Sequence, residues 1–394
     1  MRWAVVGAGS AGSVVAARLA EVGEEVVLLE AGPGTVDSAT TGASFFDAAA
    51  VPGRSFAGPF LRGRGVGGSS AINGMVATPG DTEQYRSWGW DDADDALDRV
   101  QVPLEPAAEN ELGPIDLALL AAAADTVRPP LTRRDGRRVS AWEAYADVPA
   151  RVGIELRADA SVAAVRFEGE RAVGVELDDG TSIPADAVVL CAGAIGTPVI
   201  LRRSGVDGPD VGAHLRNHAA LAVELELRPE VPADPHGLVA GTLLRRADLQ
   251  LLAVNHLGPD QLGRAGLLVV VMDADGEGRV ADDGTAQQVL SDDDHRRLAV
   301  GVELVNALLE HPSFRRIVSA ATVGDPPSGV YHPTSTCRMG TVVDGDGAVL
   351  GRRDLFVVDA SIFPELPAAN TYLPTLMLAE RMVGRVLGRA RRSW

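Results

Sequence analysis

The sequence of 394 residues is poor in cross-linking residues and in positive charge. It has two cysteines, Cys191 and Cys337, which excludes a disulfide framework and a thiolate metal cluster. It contains no lysine, so every fixed cation is an arginine. Lysine plus arginine number 36 against 54 acidic residues, and the formal charge of −18 disfavours nucleic acid and anionic membrane surfaces as partners.

Long apolar runs are absent as well. The longest, near residues 117–124, is too short to cross a bilayer, so no integral membrane span is expected. The stretch from Arg2 to Ala17 has some features of a signal peptide, but glycines interrupt it at the spacing of a nucleotide-binding turn. The sequence therefore predicts a cytoplasmic protein. Its length and its 46% hydrophobic content are typical of a globular chain with two or three domains.

The hydrophobic pattern predicts two kinds of sheet. Buried runs at residues 3–6 and 25–30 flank a helix over 11–20, which is how a βαβ unit begins. Residues 154–177 alternate between apolar and polar and lead through a turn into the buried run 187–190, as in an antiparallel meander that returns to the first sheet. Further strands are expected at 221–227, 249–254, 267–272 and 355–358, and helices at 194–203, 292–309 and 375–387.

A glycine-rich turn lies between the first strand and the first helix. Gly7, Gly9 and Gly12 have the spacing that allows a tight turn, a close approach to a pyrophosphate and close packing of helix on strand. Glu30 ends the second strand 18 residues after Gly12, where a carboxylate can accept hydrogen bonds from an adenosine ribose. Because strand, helix and acid are all in place, the pattern predicts a dinucleotide site; a glycine-rich packing turn is the alternative.

A second glycine-rich loop runs from Arg64 to Met75. Its glycines and serines offer donors that can wrap the far side of a pyrophosphate and the edge of a fused ring. A nicotinamide enzyme has no obvious need of such a loop. The alternative is a surface turn.

Ordered motifs along the chain resemble those of the glucose–methanol–choline (GMC) oxidoreductases, which use FAD. The matching segments are residues 5–12, 29–32, 67–75, 188–198, 204–206, 211–218, 332–340, 358–361, 370–375 and 379–380. Each motif alone is modest, but their order and spread make the resemblance specific.

The resemblance implies an α/β fold with two parts. One is a Rossmann-like FAD-binding domain with a parallel sheet and a β-meander, and the other is an α+β substrate domain with an antiparallel sheet. Residues 1–218 are expected mainly in the FAD-binding domain, with 80–130 as a lid or helical insertion. Residues 219–340 are expected mainly in the substrate-binding domain, and 341–394 return to the first domain.

The resemblance also implies non-covalent FAD, because the loop through which some relatives attach FAD by a histidine reads Ala71-Ile72-Asn73 here. For Val162, matched to a backbone contact with adenine, an ordinary strand position is the alternative. No metal is expected. The residues expected to hold FAD are Gly7, Gly9, Ser10, Ala11, Gly12, Glu30, Ala31, Arg64, Gly67, Gly68, Ser69, Asn73, Gly74, Met75, Val162, Ala192, Gly193, Asp359, Ala360, Thr371 and Pro374.

The resemblance also implies which residues are catalytic. An alcohol that loses hydride needs a base for its hydroxyl proton, and neutral imidazole is suited to this at pH 7. The resemblance makes His332 that base, whereas Asn370 holds the substrate oxygen. The alternative for His332 is a buried structural histidine. The alternative for Asn370 is an N-cap or turn residue before the last helix. His218 is expected to be structural.

The prediction is an FAD-dependent dehydrogenase that oxidises a primary or secondary alcohol, with oxidase activity less expected. A non-catalytic FAD-binding electron-transfer protein is the alternative from another class. An amine oxidase is disfavoured, because deprotonated amines need no base of this kind.

The chain departs from the family in length. Only 114 positions separate His218 from His332, so the substrate domain is trimmed and an open site is expected. A bulky substrate suits such a site, as does a quinone, a peptide-derived cofactor or a protein as electron acceptor. Some short GMC proteins are associated with the redox peptide mycofactocin, and by analogy this one is expected to be. Ser335 stands where the family motif has glycine.

Overall fold

The computed structural model describes residues 1–58, 60–147, 153–232 and 234–392. The strands are β1 (Arg2–Val6), β2 (Glu25–Leu29), β3 (Ser55–Phe56), β4 (Arg62–Gly63), β5 (Leu104–Pro106), β6 (Pro130–Arg134), β7 (Arg137–Arg138), β8 (Ile154–Arg157), β9 (Val162–Glu168), β10 (Arg171–Leu177), β11 (Ser182–Pro184), β12 (Ala187–Leu190), β13 (Ala219–Leu227), β14 (Leu243–Arg246), β15 (Leu249–Val254), β16 (Arg264–Val271), β17 (Arg279–Val280), β18 (Ala286–Gln287), β19 (Val318–Val323), β20 (Ser328–Gly329) and β21 (Leu355–Val357). The α-helices are α1 (Ser10–Glu21), α2 (Phe45–Ala50), α3 (Thr82–Ser87), α4 (Ala93–Asp98), α5 (Pro114–Ala122), α6 (Gly193–Arg203), α7 (Asp292–Leu309), α8 (Pro312–Arg315) and α9 (Tyr372–Arg392).

A parallel sheet with the order β21-β12-β1-β2-β8 forms the first layer. Its central strands are continuous apolar runs because both of their faces are covered. α1 and α9 pack against each other beside this sheet, although they lie at opposite ends of the sequence. Arg18 on α1 and the buried Glu380 on α9 form an ion pair between them at 2.7 Å.

The β-meander consists of β9, β10 and β11, each antiparallel to the next. The prediction that Ile154–Arg157 begins this meander is wrong, because β8 pairs in parallel with β2 at the edge of the first sheet. An edge strand is only partly covered, so its sequence alternates like that of an antiparallel strand. The α/β fold with one parallel sheet, a meander and an antiparallel sheet is confirmed.

The antiparallel sheet has the order β14-β15-β16-β13-β19, with β20 also paired to β13. One face of it packs on α5, α7 and α8, and Leu251, Leu267 and Val269 are buried in that core. The opposite face is turned towards the first layer and lines a cleft.

The stretch 80–130, which we expected as a lid or helical insertion, divides between the two layers. α4 packs on α9, and Trp88 and Trp90 form an aromatic cluster with Phe363. α5 belongs instead to the core behind the antiparallel sheet. In the described part of the chain, no helix is both long and apolar enough to cross a membrane.

Candidate active site

A cleft of about 810 Å³ lies between the two layers. Val6, Leu29 and Cys191 bring the carboxyl ends of β1, β2 and β12 to its wall, the place where open parallel sheets bind ligands. Alternate residues of β15 and β16 form part of the remaining wall.

Two glycines of the first turn, Gly7 and Gly12, have no room for a side chain. Gly7 has φ +103°, and a Cβ there would lie 2.6 Å from the carbonyl oxygen of Cys191. A Cβ on Gly12 would lie 1.8 Å from the carbonyl oxygen of Gly7. α1 begins at Ser10, and its N-cap residue, Gly9, has no side chain with which to cap the first N–H groups. This helix end can therefore offer backbone N–H groups to an anion in the cleft.

The second glycine-rich loop packs directly on the first. The N–H of Gly67 donates to the carbonyl of Ala8 at 2.9 Å. Gly68 has φ +50°, and a Cβ on it would lie 2.7 Å from the Cα of Gly9. The surface-turn alternative for this loop is therefore not what the structure shows, because the loop builds the cleft together with the first turn.

Glu30 holds this assembly together. Its buried carboxylate accepts hydrogen bonds from the N–H groups of Ala8, Gly32 and Gly65, each at 2.9 Å. It also lines the cleft, so the expected ribose contact would use a lone pair that these three bonds leave free.

Asp359 plays a similar role after β21, the strand at one edge of the parallel sheet. Its fully buried carboxylate accepts from the N–H of Gly193 at 2.9 Å, from Thr197 Oγ1 at 2.5 Å and from the N–H of Ser361 at 2.8 Å. Burial raises the pKa of Asp359. The hydrogen bonds join the start of α6 to the segment after β21.

The structure brings most of the predicted residues to the cleft. Those on its wall are Gly7, Gly9, Ser10, Ala11, Glu30, Ala31, Gly68, Ser69, Asn73, Gly74, Met75, Val162, Ala192, Gly193, Asp359, Ala360, Thr371, His332 and Asn370. Gly12, Gly67, Arg64 and Pro374 lie outside the wall. The two glycines act by packing, and Arg64 donates at 2.6 Å to the carbonyl of Ala31. Pro374 lies in the first turn of α9, where no N–H is needed.

Arg62 on β4 was missed by the sequence reasoning. It lines the cleft near Gly63 and Ser69, and its guanidinium lies over the ring of Phe56 at 4.8 Å. Its Nε is buried without a hydrogen-bond partner among the described residues, and burial lowers its pKa. A guanidinium whose Nε has no partner in the described part of the chain, the N-terminus of α1 and a glycine cradle together fit the diphosphate of FAD.

Two histidines meet at the antiparallel-sheet side of the cleft. The Nδ1 atoms of His218 and His332 are 2.9 Å apart, and the rings are nearly perpendicular. His218 Nε2 lies 3.0 Å from the carbonyl oxygen of Pro367. Burial lowers the pKa of His218 to about 4. Burial, together with the neighbouring His218, also holds the pKa of His332 well below its usual value. Both rings are therefore neutral at pH 7.

We infer the positions of the protons from these contacts. A carbonyl oxygen can only accept, so His218 carries its proton on Nε2 and has a lone pair on Nδ1. His332 must then donate from Nδ1 to His218. Its Nε2 is left unprotonated and has no hydrogen-bond partner among the described residues. His218, which we expected to be structural, thus sets the tautomer of His332. The two histidines belong to separate sequence motifs that come together only in the folded chain.

Asn370 lies just before α9, on the cleft wall. The side-chain Oδ1 of Asn370 accepts a hydrogen bond from Thr78 Oγ1 at 3.3 Å. The backbone N–H of Asn370 donates to Thr78 Oγ1 at 3.2 Å. With Oδ1 occupied in this way, the amide nitrogen is the group available to donate into the cleft. α9 begins at Tyr372, so Asn370 is not its N-cap.

Asn73 is positioned from behind by a second residue that the sequence reasoning missed. The buried Arg138 donates to the backbone carbonyl of Asn73 at 2.6 Å and to its Oδ1 at 2.9 Å. Burial lowers the pKa of Arg138 to about 10.

Comparison with known proteins agrees with this site. Residues 124–220 and 285–379 match family models described as GMC oxidoreductase. Oxygen-dependent choline dehydrogenases from Chromohalobacter salexigens and Paraburkholderia xenovorans are 27% and 28% identical to this chain; each alignment covers 98% of the chain and 94% of the relative. The first alignment has 531 positions against 394 residues here, so at least 137 positions of the relative face gaps in this chain.

Solved structures give the same fold. Pyridoxine 4-oxidase from Mesorbium loti superposes with a TM-score of 0.84 at 23% identity, over 97% of this chain and 98% of its own. A formate oxidase superposes with a TM-score of 0.85 at 18% identity, over 100% and 99% of the two chains. FAD is the cofactor that this cleft fits. The chain therefore belongs to the GMC oxidoreductase family, whose members use FAD to oxidise alcohol-type substrates.

Proposed function

We propose that this protein is an FAD-dependent dehydrogenase that oxidises a primary or secondary alcohol to the carbonyl compound, with His332 as the general base. The observation that carries the proposal is the paired histidines, because their tautomers leave one unprotonated imidazole nitrogen in the cleft. FAD, held in the glycine-rich cradle without a covalent bond, supplies the acceptor for the hydride that leaves the carbinol carbon.

His332 receives the hydroxyl proton at Nε2 in this proposal. Because its ring is neutral at pH 7, the base is already in its reactive form. The Nδ1 proton of His332 remains bonded to His218, which in turn remains bonded to the Pro367 carbonyl. The ring is thereby held in one orientation throughout the transfer.

Asn370 binds the substrate oxygen. A carboxamide does not titrate near pH 7, so its role is to donate a hydrogen bond to the oxygen as negative charge develops there. Its backbone and side chain are both tied to Thr78, which fixes the direction of that bond.

The proposed division of the chain follows the earlier prediction. Residues 1–218 and 341–394 supply most of the cofactor layer, and residues 219–340 supply the antiparallel sheet of the substrate layer, as the strand orders support. Dehydrogenase rather than oxidase activity remains part of the proposal, as does a quinone, peptide-derived or protein acceptor. The association with mycofactocin stays a prediction.

The test is anaerobic reduction of the bound flavin by a panel of alcohols, with the rate measured by stopped-flow absorbance. We expect His332→Gln, which keeps a hydrogen-bonding side chain, to slow reduction by about two to four orders of magnitude. His236→Gln is the matched control, because His236 is exposed and outside the cleft wall. Reduction at the wild-type rate in His332→Gln would remove this histidine from the role of base.

The non-catalytic alternative predicts a different result. An electron-transfer protein would be reduced by a small reductant or a protein partner but by no alcohol. Re-oxidation of the alcohol-reduced protein by oxygen or by a quinone, compared at equal concentrations, then separates oxidase from dehydrogenase.

A further inference from the structure

The part of the cleft next to the histidine pair is formed by one face of the antiparallel sheet. Gln250, Leu252 and Val254 of β15 line it, spaced two residues apart so that they share a face. On the neighbouring strand Val270 lies opposite Gln250, and Leu268 lies opposite Leu252.

Apolar side chains continue this surface towards the histidines. Met272 and Val270 cluster with Val330, which is two residues before His332 in the chain. All three line the cleft. A substrate with its hydroxyl at His332 therefore has hydrocarbon beside the remainder of the molecule.

The polar group on this face is already engaged. Gln250 is buried, and its Oε1 accepts from Arg245 at 3.3 Å. Arg245 also donates to the carbonyl of Ala368 at 3.2 Å, two residues before Asn370. Its charge contributes to lowering the pKa of His218. The fixed charge at this end of the cleft is therefore positive.

The acids on the described cleft wall lie elsewhere. Glu30 and Asp359 belong to the cofactor end and are bonded to backbone N–H groups. Asp283 is exposed in the β17–β18 turn, beside Gly284, which faces α6. None of them lies on the sheet face.

Aromatic rings are the other means of holding a quaternary ammonium group. Phe56 already lies beneath the guanidinium of Arg62. Phe45 and Phe46 pack edge to face on each other, and Phe46 packs on His256. Tyr331 is 48% exposed next to His332 and offers a single ring. None of these rings lies on the sheet face, and Tyr331 alone does not form an aromatic cage.

We propose that the substrate is an uncharged alcohol with an apolar body, and that cationic amino alcohols such as choline are excluded. The inference rests on the proposed function, because it concerns the same site. The names of the choline dehydrogenase relatives suggest a cationic substrate instead. The physical reason for the difference is that a cation bound on this face would leave water for hydrocarbon next to the positive charge of Arg245.

The experiment compares two substrates of equal shape. Choline and 3,3-dimethylbutan-1-ol differ by one positive charge, since a carbon replaces the nitrogen. Rates of anaerobic flavin reduction give kcat/KM for each, and changes in the visible flavin spectrum give a dissociation constant even without turnover. We expect the uncharged alcohol to be preferred by about 100-fold or more. A preference for choline in either measurement would overturn the proposal.

A variant pair locates the effect. Leu252→Glu places a carboxylate on the sheet face, and Leu252→Gln has nearly the same shape without the charge. At pH 8 the Glu variant should shift the ratio towards choline by at least about tenfold relative to the Gln variant. Equal ratios in the two variants would show that the substrate body does not lie on this face. If the uncharged alcohol binds more tightly but reduces no flavin, the polarity inference stands and the proposed oxidation fails.

Discussion

The hydrogen bond between the two histidines can be tested by changing His218 and leaving His332 intact. In His218→Phe, the Nδ1–H of His332 loses its acceptor. The ring then either buries an unpaired N–H or moves its proton to Nε2, where it can no longer accept the substrate proton. In His218→Asn, a side-chain oxygen is available to accept the same hydrogen bond.

The expected magnitude comes from the cost of that lost bond. A buried donor without a partner costs about 1–3 kcal/mol, and about 1.4 kcal/mol corresponds to a tenfold change in rate. We therefore expect flavin reduction in His218→Phe to be about 10- to 100-fold slower. The Asn variant should stay within a few-fold of wild type. Wild-type reduction in His218→Phe, or equal slowing in both variants, would contradict the tautomer assignment.

The assay is stopped-flow reduction at several pH values, with the melting temperature of each variant as a check on folding. The neutral state of His332 also predicts how the rate depends on pH. Because the pKa of His332 lies below the usual value, the wild-type rate of flavin reduction should fall only as the pH decreases below about 6.5. A rate that rises steeply above pH 8 would not come from this imidazole.

Three further outcomes are expected. The pKa of His218 is about 4 in the folded protein and about 6.5 in the unfolded chain, so the unfolded state binds the proton first. The free energy of unfolding should therefore fall as pH falls from 6.5 to 4, by about 3 kcal/mol for this group; urea unfolding at pH 7 and 5 should show a smaller loss in His218→Asn, and an equal loss would refute the assignment. Ser335 is buried at φ +67°, so Ser335→Gly should be more stable than Ser335→Ala by about 1 kcal/mol in thermal melts, whereas an extended backbone would give the reverse. Arg62→Met should weaken FAD binding by about 10- to 100-fold in fluorescence titrations of the apoprotein, and unchanged affinity would mean that Arg62 does not face the diphosphate.

Local patterns predicted the first glycine-rich turn, between a strand and a helix, correctly. Gly7, Gly9, Gly12 and Glu30 lie within one βαβ unit, so their spacing in the sequence already specifies their spacing in the fold. The resemblance then extended the prediction to distant segments, and the GMC family and the FAD cofactor are both confirmed.

Pairing between distant segments was the harder part. β8 was misread because an edge strand in a parallel sheet alternates like an antiparallel strand. β14 and β19 were not predicted: Leu243–Arg246 ends in two arginines, and most of Val318–Val323 is exposed, so neither shows a clear apolar face. The contact of His218 with His332 joins residues 114 positions apart, which periodicity cannot reveal.

The cofactor layer draws on the first and the last strands of the described chain, and α9 covers α1. During synthesis, residues 1–30 leave the ribosome more than 300 residues before β21 and α9. Until then α1 lacks its contact with α9, and Asn370 is absent from the cleft. We therefore expect capture of the flavin to follow translation of nearly the whole described chain, and a nascent fragment halted before residue 355 should elute without yellow colour.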